Sequence, residues 1–129
     1  MKLQPDQMDA QAVTAYDKDW IAINGEKHHE SLLISSEGQK DQWGLLRAQN
    51  LTPTHLEQLI ELKNKDIELV ILGSGQKLQF MPKLWLQAFN TSRLGFETMD
   101  TPAACRTYNI LAGEGRKVAA LLLIEPQND

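Results

Sequence analysis

Short apolar-alternating runs open the chain, and longer runs at helical spacing follow. "AVTAYD" (12–17) and "WIAIN" (20–24) predict two strands, and "NGEK" (Asn24–Lys27) carries the Asn-Gly signature of a tight hairpin turn. "HHESLLIS" (28–35) returns after that turn as one strand. "DQWGLLRA" (41–48) follows a second turn at "SSEGQK", completing an antiparallel start.

The period then changes. In "LTPTHLEQLIELKNKD" (51–66), Thr52 is the expected N-cap and Pro53 the first helical residue, with Leu56, Leu59, Ile60 and Lys63 at helical spacing. "IELVILG" reads as a buried strand. "FMPKLWLQAFNTSRLG" predicts a second helix with Leu84, Trp85, Ala88 and Phe89 on one face, ended before Gly95. "FETM" is a strand, "TPAACRTYNILA" a third helix, and "KVAALLLI" the last strand. Strand–helix alternation after Asp41 predicts an α/β protein with a partly parallel sheet, covered by helices and extended or flanked by the earlier hairpins. One domain is expected over residues 1–129, with polar, loose ends at 1–10 and 125–129.

Charge narrows the partners. The net charge is −4 and the basic residues are scattered, which argues against nucleic acid, whose phosphates need clustered cations. "MKLQPDQMDAQAV" has no apolar stretch behind Lys2, so no secretion signal is expected. The longest apolar run, Val118–Ile124, is far short of the ~20 residues of a membrane span. It reads as a strand buried on both faces. One cysteine, Cys105, excludes an internal disulfide and suits a cytoplasmic, reducing compartment.

Candidate chemistry is sparse. "GSGQ" (Gly73–Gln76) follows a strand, where open α/β sheets place ligands. Leu78 stands where a dinucleotide fingerprint needs glycine, and no Gly-Lys-Ser/Thr ending follows, so the choice is between a turn and a ligand crevice. His28 and His29, adjacent on a strand, point to opposite faces and make a poor chelating pair. No metal or cofactor is expected. Cys105, near a helix start, is either a dipole-activated thiol or a buried small hydrophobe.

The helix after "MDT" is the most informative segment. Asp100 or Thr101 caps it and Pro102 begins it. Ala103, Ala104, Thr107, Tyr108, Ile110 and Leu111 are expected on one broad face, with Arg106 and Asn109 on the other side. Two readings stay open. In the structural one, Arg106 pairs with Asp100 or Glu97, while Tyr108 packs its ring and anchors its hydroxyl. In the functional one, Arg106, Asn109 and Arg116 offer donors to an anion or a partner at a crevice formed with Gly73, Ser74, Gly75, Asp100 and Thr101.

The run "FETMDTPAACRTYNILAGEGRKVAAL" resembles the Mth-like small α/β domain of unknown function shared by a mitochondrial complex I assembly factor and an adipogenesis-associated cytosolic protein. The residues that carry the resemblance are Gly73, Ser74, Gly75, Pro82, Glu97, Met99, Asp100, Thr101, Ala103, Ala104, Arg106, Thr107, Tyr108, Asn109, Leu111, Glu114, Arg116, Val118 and Ala120. Ala112-Gly113 departs from it, where the family more often has a longer side chain before the Glu. The resemblance implies a three-layer fold around a mixed sheet with an additional hairpin region, and supplies no catalytic residues. It implies a bacterial, noncatalytic interaction or assembly-factor-like module whose partner is another protein. A homodimer through a sheet edge or helix face is compatible with it. The alternative is a small-molecule binder or enzyme using the crevice, with Arg106 and Arg116 as anion donors.

Overall fold

The computed structural model describes residues 11–127. Its first three strands, β1 (Val13–Asp17), β2 (Trp20–Ile23) and β3 (Glu26–His28), form an antiparallel sheet in that order. Asn24 and Gly25 join β2 to β3 with φ of 50° and 89°, the left-handed pair that a tight two-residue hairpin turn requires.

The run 28–35, expected as one strand, is split. His28 ends β3 opposite Ile21, the chain bends at His29–Glu30, and β4 (Ser31–Ser35) joins a second sheet. Glu30 fixes the bend by accepting the Gly44 N–H at 2.8 Å. β5 (Lys40–Gly44) is also shorter than expected, because Gly44 at φ 77° turns the chain into a 3-10 turn at Ala48–Asn50.

The second sheet contains β6 (Leu69–Gly73), β7 (Gly95–Met99) and β8 (Val118–Leu122) besides β4 and β5, in the order β5-β4-β8-β6-β7. β4 runs antiparallel to β5 and β8, whereas β6 runs parallel to β7 and β8, so the sheet is mixed. Its central strands are buried on both faces, and alternate residues feed two cores. Leu33, Val70, Leu72, Ala119 and Leu121 face α1 (Pro53–Ile60) and α2 (Lys83–Thr91). Leu32, Ile34, Ile71, Ala120 and Leu122 face α3 (Thr101–Gly113) and the hairpin sheet. Three layers result, and the fold is α/β.

The helix starts follow the sequence. Thr52 caps α1 by accepting from the His55 N–H, and the His55 ring accepts from the Thr52 N–H at 2.9 Å, a reciprocal capping box. Two expected faces shift. In α3 the buried stripe is Thr101, Ala104, Cys105 and Tyr108, and Ile110 is 60% exposed. Two residues past Tyr108 is about 200° around the helix, which turns Ile110 to solvent. In α2, Trp85 and Phe89 are buried, but Leu84, about 100° from Trp85, is 66% exposed. The expected loose ends at 1–10 and 128–129 lie outside the described residues, and two bonds hold Glu125 and Pro126. Arg47 donates to the Pro126 carbonyl at 3.1 Å and Gln76 N–H to the Glu125 carboxylate at 3.2 Å.

Candidate functional site

The carboxyl ends of β6 and β8 meet the start of α3 at a closely packed junction. A Cβ on Gly73 would lie 3.0 Å from both the Ala104 Cβ and the Thr101 Cα, so glycine is what lets the helix sit against the strand. Thr101 closes the junction. Its hydroxyl accepts from the Gly75 N–H at 2.9 Å and donates to the Leu123 carbonyl at 2.9 Å, and its N–H donates to the Gly75 carbonyl at 2.7 Å. The Ser74 hydroxyl donates to the Lys77 carbonyl and accepts from the Gln79 N–H. Asp100 caps α3 through the Ala103 N–H at 2.8 Å. Gly73, Ser74, Gly75, Asp100 and Thr101 are thus brought together, with these polar groups engaged by the chain itself.

The remaining candidates are spread along α3. Arg106 donates to the Tyr16 hydroxyl at 2.7 Å, and among the described residues it forms no ion pair with Asp100 or Glu97. Asn109 grips the hairpin: its carbonyl oxygen accepts from the Val13 N–H at 2.9 Å and its amide donates to the Val13 carbonyl at 2.7 Å. Arg116 lies past the far end of the 13-residue helix, 3.7 Å from Glu68. That end is about 20 Å from the junction at 1.5 Å per residue. The Tyr108 hydroxyl is anchored on the Gln11 carbonyl at 2.8 Å.

Cys105 is buried, and burial pushes its thiol up to about 12 against a weaker downward pull from Arg106. It therefore stays a protonated thiol at neutral pH. His28 is buried with Nε2 unpartnered and 3.9 Å from Glu26, whereas His29 is exposed. Among the described residues no three His, Cys, Asp or Glu side chains converge to hold a metal, and no helix is long and apolar enough to cross a membrane.

Sequence reasoning missed a different surface. Trp85 and Phe89, expected on one helix face with Leu84 and Ala88, are core residues. Phe80, 79% exposed, projects instead, with Leu78, Leu84 and Leu86 each about half exposed or more. Beside Phe80 is a cavity of about 300 Å³, lined by Ala48, Leu51, Met81, Pro82 and Trp85 and edged by Gln49 and Gln79. The sequence signal was the alternation in "KLQFMPKLWL", which holds more large apolar residues than one helix face can bury.

The human protein called NADH dehydrogenase (ubiquinone) 1 alpha subcomplex assembly factor 3 is 29% identical over 124 residues, which is 96% of this chain and 66% of that protein. Across mammalian proteins of that name the matches span 45–66% of their length. A crystal structure from Bordetella parapertussis superposes with a TM-score of 0.81 at 31% identity, covering 90% of this chain and 97% of that one. The solution structure of a Bordetella pertussis protein described as a Mth938-like domain gives 0.80 at 25% identity, covering 99% and 95%. The family profile described as "Protein of unknown function (DUF498/DUF598)" matches residues 13–123. This chain, with its mixed sheet, gripped hairpin and Thr101-locked junction, belongs to that family and has the Mth938-like fold.

Proposed function

We propose that the protein is a noncatalytic interaction module, an assembly-factor-like domain that holds another protein against the surface around Phe80. One observation carries the reading: Phe80 lines a cavity, and Leu78, Leu84 and Leu86 of the same segment are about half exposed or more, while the polar groups of the strand-end junction are engaged internally. Large exposed apolar side chains grouped in one segment are a usual mark of a contact surface. Likeness over nearly the whole chain to a protein named as an assembly factor supports the same reading. The single cysteine, reduced and buried, supports action in a reducing, cytoplasm-like compartment.

Affinity purification of the tagged chain from its own cells tests this, with mass spectrometry of bound proteins and of extracted small molecules. Phe80→Ser/Leu84→Ser and Arg106→Ala/Arg116→Ala variants, checked by circular dichroism, run beside it. The expected result is a stoichiometric protein lost with the first variant and kept with the second. A retained metabolite lost with the arginine variant would overturn the reading and move function to the crevice at Gly73–Gly75.

A further inference from the structure

We propose that Asn24 is a modification site: its carboxamide closes onto the Gly25 nitrogen and converts to aspartate and isoaspartate, at a rate set by how firmly Gln11–Val13 is held. Of the chain's asparagines, Asn24 alone precedes glycine; the others precede Leu51, Lys65, Thr91, Ile110 and Asp129. Asn24 and Gly25 are both exposed, and a Cβ on Gly25 would meet no described atom within 4 Å. Neither a side chain nor the surrounding fold therefore screens the attacking nitrogen.

The chemistry needs only water. The Gly25 nitrogen loses its proton to hydroxide and adds to the Asn24 Cγ. The Cγ–Nδ2 bond then breaks, and Nδ2 leaves as ammonia with a proton taken from water. Water opens the resulting five-membered imide at Cγ to give aspartate, or at the main-chain carbonyl carbon of residue 24 to give isoaspartate. The net change is water taken up and ammonia released, with nothing oxidised or reduced.

In the folded chain both reacting groups are engaged. Asn24 Oδ1 accepts from the Ala12 N–H at 3.0 Å, the Asn24 N–H donates to the Ala12 carbonyl at 2.9 Å, and the Gly25 N–H donates to the Thr14 hydroxyl at 3.0 Å. Ring closure has to turn the carboxamide off Ala12 and remove the proton held by Thr14, so it follows a local opening of the β1 edge. That edge is restrained from α3. Asn109 holds Val13 by two bonds, and the Tyr108 hydroxyl holds the Gln11 carbonyl at 2.8 Å. Conversion in turn alters the hairpin. Isoaspartate lengthens the main chain inside a turn whose residues sit at φ of 50° and 89°, and so disturbs the pairing of Ile23 with Glu26 and of buried Ile21 with His28.

The test incubates the full chain, folded at pH 6 and pH 8 and unfolded in guanidinium chloride. Proteolytic peptides are then mapped by mass spectrometry, with aspartate and isoaspartate forms separated by chromatography. Expected is conversion confined to Asn24, faster at pH 8 than at pH 6 and faster unfolded than folded, and absent in Asn24→Gln. Asn109→Ala should speed the folded rate about tenfold, the change in local opening that a lost hydrogen-bonded pair brings, and leave the unfolded rate alone. Tyr108→Phe, which removes only the hydroxyl on Gln11, should act in the same direction, and it carries the comparison if circular dichroism shows Asn109→Ala to be unfolded. The proposal is overturned if Asn24 stays intact in the folded chain, if other asparagines convert as fast, or if the variants speed amide exchange in β1–β3 without speeding conversion.

Discussion

A single methyl group at Gly73 would press on the Ala104 and Thr101 atoms of α3, and that close approach explains the environment of Cys105 one residue on. With the helix this near the sheet, Cys105 and Tyr108 are fully buried, and burial raises both of their ionisations. The folded chain therefore keeps protons that the unfolded chain releases. The thiol's stabilising contribution is full below pH 9.0 and is lost as pH rises from there through about 12, and the Tyr108 phenol extends the loss upward. Urea midpoints should fall progressively above pH 9, and Cys105→Ala should flatten the first part of that fall while costing about 1–2 kcal/mol of packing at neutral pH. A midpoint unchanged up to pH 11 would show that the thiol ionises freely in the fold. At this scale the residue types at the junction were legible: glycines at a strand end, an Asp-Thr-Pro helix start. The direction of the Thr101 hydroxyl was not, because its acceptor, Leu123, is 22 residues away and is delivered by the β8 crossover.

Elements were legible where one period ruled and illegible where the chain changed sheets. β6 and β8 read as fully buried strands because both faces carry helices or hairpin, and the Thr52 and Asp100 caps follow from side chains that reach the first free N–H groups. The 28–35 run carries no glycine or proline to mark a break at His29–Glu30, and only long-range contacts, the pairing of His28 with Ile21 and of Ser31 with Gly44 and the Glu30 bond to Gly44, show that it belongs to two sheets. The hairpin sheet depends on another such contact, the two-bond grip of Asn109 on Val13. In the sequence Asn109 read as a donor to a ligand or partner, since an amide gives no sign of which backbone it will meet. Asn109→Ala leaves the Val13 N–H and carbonyl without that partner, at a cost of about 1–3 kcal/mol. The loss should appear as faster amide exchange in β1–β3 with β6 and β8 still protected. Equal acceleration in both sheets would mean that the hairpin and the main sheet open as one unit.

Across the whole molecule the two faces of the main sheet are covered differently. α3 and the hairpin close one face, with Asn109, Tyr108 and Arg106 each bonded across the gap. On the other face, α1 and α2 share the cover with the loop before α2, and a groove of about 530 Å³ lies between Leu56, Ile60 and Ala88. The apolar residues of 78–86 divide accordingly. Met81 and Trp85 turn inward to the core, while Leu78, Phe80 and Leu84 stay about half exposed or more. Folding stability should therefore be indifferent to the second group and sensitive to the first. Leu78→Ser/Phe80→Ser/Leu84→Ser removes three side chains that contribute little burial, so each change should stay within about 0.5 kcal/mol. Trp85→Ala, which empties a core position tilted against Phe89 and Phe96, should cost about 3–5 kcal/mol. Urea unfolding of both variants checks the contrast, and concentration at the onset of precipitation checks its corollary, because removing exposed apolar area should raise solubility. A large loss of stability in the triple variant would mean that Phe80 and its neighbours close over the core in solution, and that the surface assigned to a partner is part of the fold.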